Sequence, residues 1–180
     1  MNSDMKFYTA QNQIVLDTIS EQGYSVVKKS YIEEKYGHQA KLFLRAYDWF
    51  VRHSQQRVIK PSYAEYPIWL FLNPNYVTVH PDQQLLALNI PTGFYTLFDN
   101  AGWERILSMD YVGSDTSDQL AFSEKLHRMG LDCGYRAFES PFYPHIQREI
   151  LQSWSRIFNL TEQSVVRAAV WEIKKEWLCN

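Results

Sequence analysis

Val165-Val166-Arg167-Ala168-Ala169-Val170-Trp171-Glu172-Ile173-Lys174-Lys175-Glu176-Trp177-Leu178 is the stretch on which the architecture of this chain turns. Two periods compete in it. Val166, Ala169, Val170, Ile173 and Trp177 recur at helical spacing, whereas the β-branched pair Val165-Val166 and the run Val170-Trp171 suit a strand. The helical period fits slightly better, and both readings stay open. The choice matters because of Glu172, a lone acid between Trp171 and Ile173. Partly buried, it would have its pKa pushed up or be held by a partner, and such acids are often catalytic. On the polar face of an amphipathic helix it would be an ordinary solvated glutamate.

Working back from there, Pro144 to Phe158 reads as a helix, with Pro144 in the first turn and Ile146, Ile150, Trp154, Ile157 and Phe158 as its stripe. Ser117 to Met129 reads as another, preceded by Gly113-Ser-Asp-Thr-Ser-Asp118 as an internal linker. Asn100 is placed to cap a helix carrying Trp103, Ile106 and Leu107 on one face. Ile68 to Leu72, Leu85 to Ile90 and Tyr95 to Phe98 read as strands, the first closed by Asn73-Pro74-Asn75 and the second by Pro91. Ser54 to Pro67 is a polar loop with two prolines, able to lie over a cleft. Lys41 to His53 is a helix, with Leu42, Leu44, Ala46, Trp49 and Phe50 mainly along one face. Lys28 through Gly37 is a polar stretch without an assigned element. At the start, Lys6 to Gln11 is a short strand. Asn12 then caps a helix striped by Ile14, Val15, Leu16 and Ile19, and Gly23 ends it. These elements make one α+β domain over residues 1–180: a mixed, mostly antiparallel sheet of about five strands with helices packed outside.

Composition narrows the function classes. Of 180 residues, 46% are apolar, which is ordinary, and 16% aromatic, which is high. The net charge of −2 predicts no general attraction to nucleic acid or membrane. A local basic patch from Lys28, Lys29, Arg45, Arg52, Arg57 and Lys60 stays open. Cys133 and Cys179 have no CxxC partner and read as free thiols of a reducing compartment. With no apolar leader and no long apolar run, the expectation is a cytoplasmic protein without a membrane partner.

His38, His53, His80, His127 and His145 are scattered, and His145 with Glu149 lacks a further ligand, so no metal is expected. No GxSxG, Cys/His or glycine-rich phosphate signature is present. Three stretches remain. Phe7-Tyr8-Thr9-Ala10-Gln11 ends a strand in hydrogen-bonding side chains just before a helix, where ligands commonly meet polar groups and free backbone N–H. In Arg45-Ala46-Tyr47-Asp48-Trp49, Trp49 faces the core, Asp48 and Arg45 can pair, and Tyr47 could stack on a flat ligand. Trp171-Glu172-Ile173 is the third.

At these residues a resemblance emerges. YTAQ (8–11), AYDW (46–49), YPIWLF (66–71), LFDNAGWERIL (97–107), SWSRIFNL (153–160) and AAVWEIKKEW (168–177) resemble the ordered landmarks of a bacterial family of uncharacterised proteins, a domain of unknown function. More distantly, the order of elements is similar to that of ADP-ribosyltransferases, whose fold binds NAD between two small β-sheets. That resemblance implies a toxin or phage-defence effector that uses NAD to modify a nucleic acid or protein. It implies that Thr9 and Gln11 line the nicotinamide-ribose side, that Tyr8, Asp48 and Trp49 also contact NAD, and that Tyr47 stacks on nicotinamide. Glu172 would hold a ribose hydroxyl and polarise the acceptor. Two departures stand out: Thr9 or Gln11 replaces the usual first-strand His or Arg, and the helical reading of 165–178 would take Glu172 off a strand. The alternative is a non-enzymatic module whose aromatics, Trp49 and Trp69 among them, and whose Ser54–Pro67 loop dock an antitoxin, a chaperone or a partner subunit. A third possibility is nucleic-acid binding by the Lys28–Lys60 segment.

Overall fold

The computed structural model describes residues 4–37 and 40–179; His38 and the side chain of Leu42 lie outside the described residues. The chain divides into two compact units, Met1–Leu97 with Val166–Asn180, and Phe98–Val165.

The first unit opens with β1 (Met5–Asn12), whose alternation buries Phe7 and Thr9. α1 (Gln13–Gln22) follows. Asn12 occupies its N-cap position with extended backbone, but its side chain makes no capping bond. Gly23 ends the helix at φ 84°, a left-handed conformation that needs glycine, and donates its N–H to the Ile19 carbonyl at 3.0 Å. β2 (Tyr24–Ser25) comes next. The polar stretch after it is not irregular: Lys29–Tyr36 forms α2. Its few apolar residues hide the helical period, so only the tertiary setting reveals it. α3 (Ala40–Ser54) leads through the expected loop to β3 (Ile68–Phe71), β4 (Gln83–Ile90) and β5 (Tyr95–Asp99).

The segment 165–178 is extended, against the slight preference for a helix. Val166–Val170 is β6 and Ile173–Lys174 is β7, with a 3-10 turn at Lys175–Trp177. The reason lies in sheet order, β4-β1-β3-β6-β5. β6 is an inner strand, and Ala168, Ala169 and Val170 are buried in succession. A strand covered on both faces loses its two-residue alternation, so its apolar run imitates a buried helix.

β1 pairs antiparallel with β4 from Met5↔Ile90 to Asn12↔Gln83, with β3 at Tyr8↔Phe71, and β3 pairs antiparallel with β6 from Ile68↔Val170 to Phe71↔Arg167. One face carries the core of Phe7, Leu70, Leu88, Ala168 and Val170, closed by Ile19 of α1 and by Ile173 and Trp177. On the other face Trp69 packs edge-on against Tyr47 and Phe50 of α3. β7 leaves the main sheet and pairs with β2 as a separate two-stranded ribbon, Tyr24↔Lys174 and Ser25↔Ile173.

The second unit is helical: α4 (Asn100–Leu107), α5 (Thr116–Arg128), α6 (Gly134–Phe138) and α7 (Pro144–Ser153), with a 3-10 turn at Trp154–Phe158. The sequence reading ran the last helix on to Phe158; the α-helical part stops at Ser153. Asn100 does not cap α4. Asp99 does, accepting the Gly102 N–H at 2.8 Å, while Asn100 is the first helical residue and bonds Glu104. Asp outcompetes Asn here because its second oxygen also accepts the Val165 N–H. The expected linker 113–118 is an ordered cap instead, with Asp115 accepting from the Asp118 N–H and Asp118 from the Ser114 N–H.

Gly134 lets α6 approach the chain at Met109-Asp110. A Cβ there would lie 3.0 Å from the Asp110 Cα and the Met109 carbonyl, and closer still to an Asp110 carboxylate oxygen. Gly134→Ala is therefore expected to cost about 1–3 kcal/mol through overpacking. Urea denaturation checks it; an unchanged midpoint would mean the backbone can retreat.

Candidate functional site

The sites suggested by the sequence fall into separate clusters. On β1, alternation sends Tyr8 to one face and Thr9 to the other. Tyr8 lies under the Lys6 ammonium, 5.9 Å from its ring centroid. Thr9 is buried and accepts a hydrogen bond from the Gln11 amide at 2.9 Å.

Beneath α3, Tyr47 is buried edge-on to Tyr66 and Trp69, and its hydroxyl accepts the Trp69 indole N–H at 3.1 Å. Asp48 accepts from the Tyr66 hydroxyl at 2.6 Å. Burial first, and that bond second, push the Tyr66 pKa up. Trp49 is buried and stacks on His53 at 4.3 Å. Together these residues fasten α3 to β3 and to the loop that precedes it.

Glu172 is different. The ribbon alternates, with Ile173 and Trp171 turned into apolar clusters. Glu172 shares the opposite side with Lys174. Although it carries a carboxylate, Glu172 is only 6% exposed. One of its oxygens accepts the Tyr63 hydroxyl at 2.8 Å, and the other lies 3.6 Å from the Lys174 ammonium. Tyr63 comes from the loop between α3 and β3 and packs at 5.1 Å on Tyr24, the ribbon partner of Lys174. Lys28 anchors that loop by donating to the Tyr63 carbonyl at 2.7 Å. The Lys174 ammonium also sits 5.0 Å from the Phe94 ring centroid and 5.4 Å from that of Trp177. Tyr63 and Phe94 are each 43% exposed, so this acid lies just under an accessible aromatic surface. None of Tyr24, Tyr63, Phe94 or Lys174 stood out in the sequence. Lys174 was legible as a neighbour of Glu172 only if the segment is extended.

The Glu172 hydrogen bond, and next burial and the negative charge, push the Tyr63 pKa up to about 12. A tyrosine whose folded pKa is raised above its unfolded value of 10.0 contributes stability that is complete below pH 10.0 and is lost as pH rises toward 12. Tyr63→Phe is expected to flatten that part of the alkaline unfolding curve, followed by tyrosinate absorbance and circular dichroism. An identical curve in the variant would count against the bond.

In the second unit, Arg156 donates to Asp118, the Tyr111 hydroxyl and the Val112 carbonyl. The Ser114 N–H, foremost, holds the Asp118 carboxyl below the usual range. This network ties α5 to the 3-10 turn. Among the described residues there is no group of three or more His, Cys, Asp or Glu able to hold a metal, and no helix long and apolar enough to cross a membrane.

Residues 6–179 match the family model described as "Domain of unknown function (DUF3841)", and the chain belongs to that family. No curated protein and no solved structure matches it significantly.

Proposed function

We propose that this protein is an ADP-ribosyltransferase-like enzyme that takes NAD as substrate, with Glu172 as its central carboxylate and a nucleic acid or protein as acceptor. The observation that carries the reading is a nearly buried carboxylate held by Tyr63 and Lys174 beneath exposed aromatic rings. An antiparallel sheet beside a separate two-stranded ribbon, with Glu172 between β6 and β7, supports it.

Breaking the bond between ribose and nicotinamide sends the bonding pair to the departing ring and leaves positive charge on the sugar. A fixed carboxylate opposes that charge most strongly as it forms, which accelerates the step rather than merely tightening binding. Tyr63 keeps one Glu172 oxygen oriented. The other oxygen is free to accept from a ribose hydroxyl or to take the proton of the incoming acceptor once Lys174 moves. Phe94 and Trp177, 5.0 and 5.4 Å from the Lys174 ammonium, offer the aromatic faces that suit a flat cation. Tyr47 has its ring between Tyr66 and Trp69 and its hydroxyl bonded, so the stacking role passes to Phe94 and Trp177. Tyr8, Thr9, Gln11, Asp48 and Trp49 keep the supporting contacts described above.

The test is incubation of purified protein with NAD, reading nicotinamide release, alongside calorimetric titration. Release above background is expected; no binding and no release together would sink the reading. One observation favours a second reading, a protein-docking module: Ile59, in the loop that carries Tyr63, is 90% exposed. It gains ground if Ile59→Ser loses a partner while NAD is never consumed.

A further inference from the structure

Lys174 occupies a place that chemistry reserves for ligand cations. Its ammonium has two aromatic rings at 5.0 and 5.4 Å and a carboxylate oxygen at 3.6 Å. Phe94 and Trp177 meet at 62°, so they form two walls of a corner rather than one flat surface. Aromatic faces together with a desolvated carboxylate are what recognise pyridinium and quaternary ammonium groups. The third element, Glu172, is buried, and the Lys174 ammonium is the cation that faces it at 3.6 Å.

The corner is closed from inside but not sealed. Lys174 is partly exposed, as is Phe94. Phe94 stands on the turn between β4 and β5, whose N–H donates to the Pro91 carbonyl at 3.3 Å, next to Gly93 at φ 98°. A lysine on a long flexible stem can swing into water, whereas Glu172, Trp177 and the ribbon are held by the core.

We infer that Lys174 is an internal competitor, a latch that fills the cation subsite beside Glu172 and must be displaced before a pyridinium group can enter. The choice of pyridinium as the ligand class rests on the NAD reading above. The latch keeps Glu172 paired and the rings spaced, and it sets the concentration at which a cationic ring takes over.

The probe is 1-methylnicotinamide chloride, titrated at constant ionic strength into the full chain while the intrinsic tryptophan fluorescence is followed. Lys174→Gln should bind it about tenfold more tightly than wild type, the scale of one displaced cation–π and ion contact. Lys174→Arg, which keeps the plug, should stay near wild type, and Phe94→Ala added to Lys174→Gln should lose the gain. Circular dichroism confirms that each variant is folded, and isothermal calorimetry repeats the comparison without the tryptophan. Equal affinity in wild type and Lys174→Gln, or no binding to either, overturns the latch. NAD consumption is read in parallel. Consumption with no gain in Lys174→Gln removes the latch alone, and a gain without consumption keeps the latch and removes the transferase reading.

Discussion

On the proposed transferase reading, Glu172→Gln should lower NAD consumption by roughly a hundred- to a thousandfold while leaving the fold in place, because it replaces a carboxylate by a neutral amide of the same volume. The amide oxygen can still accept the Tyr63 hydroxyl bond that Glu172 accepts at 2.8 Å. What it cannot do is oppose a developing positive charge. The loss should therefore fall on kcat, with KM changed far less. Nicotinamide release at saturating NAD, with the melting temperature measured on the same preparation, separates this from misfolding. A glutamine variant with near-wild-type kcat would leave the acid a purely structural residue.

Trp154→Ala should cost about 3–5 kcal/mol, a large share of the ~5–15 kcal/mol that holds a typical domain. Trp154 is completely buried, and its indole N–H donates to the Asp110 carbonyl at 2.8 Å. Alanine leaves a cavity the size of an indole and removes the donor. Trp154→Phe separates the two effects, since it keeps most of the volume and loses the bond, for roughly 1–3 kcal/mol. Urea titration of both variants by circular dichroism gives the comparison. A loss below ~1 kcal/mol for the alanine variant would show that the surrounding residues collapse into the space.

Much of the fold could be read locally. Gly23 stops α1 where glycine tolerates positive φ, and Pro144 opens α7 where its missing N–H is no loss. β3, β4 and β5 were legible from short apolar runs bounded by turn residues. Where the reading failed, two residues of similar chemistry competed or the period was masked. Asp99 and Asn100 are both good caps, and only the position of Val165 decides for Asp99. α2 shows too little apolar stripe to declare itself, and β6 shows too much.

The candidate site was half legible. Glu172 was singled out by its apolar neighbours, and the structure buries it against Tyr63 and Lys174. Its companions were not, because Tyr63 is 109 residues away and Tyr24 further still, joined only by chain reversal.

Sequence alone determined the α+β class, the family to which the chain belongs and the suspicion attached to one acid, since composition, turn chemistry and motif order are local properties. The tertiary structure decided that residues 165–178 are strand and ribbon, and that Glu172 meets Tyr63 and Lys174 rather than Tyr47 or Thr9. The physical reason is that a segment buried on both sides carries no period of its own, so its backbone state and its neighbours are set by the strands and rings packed against it.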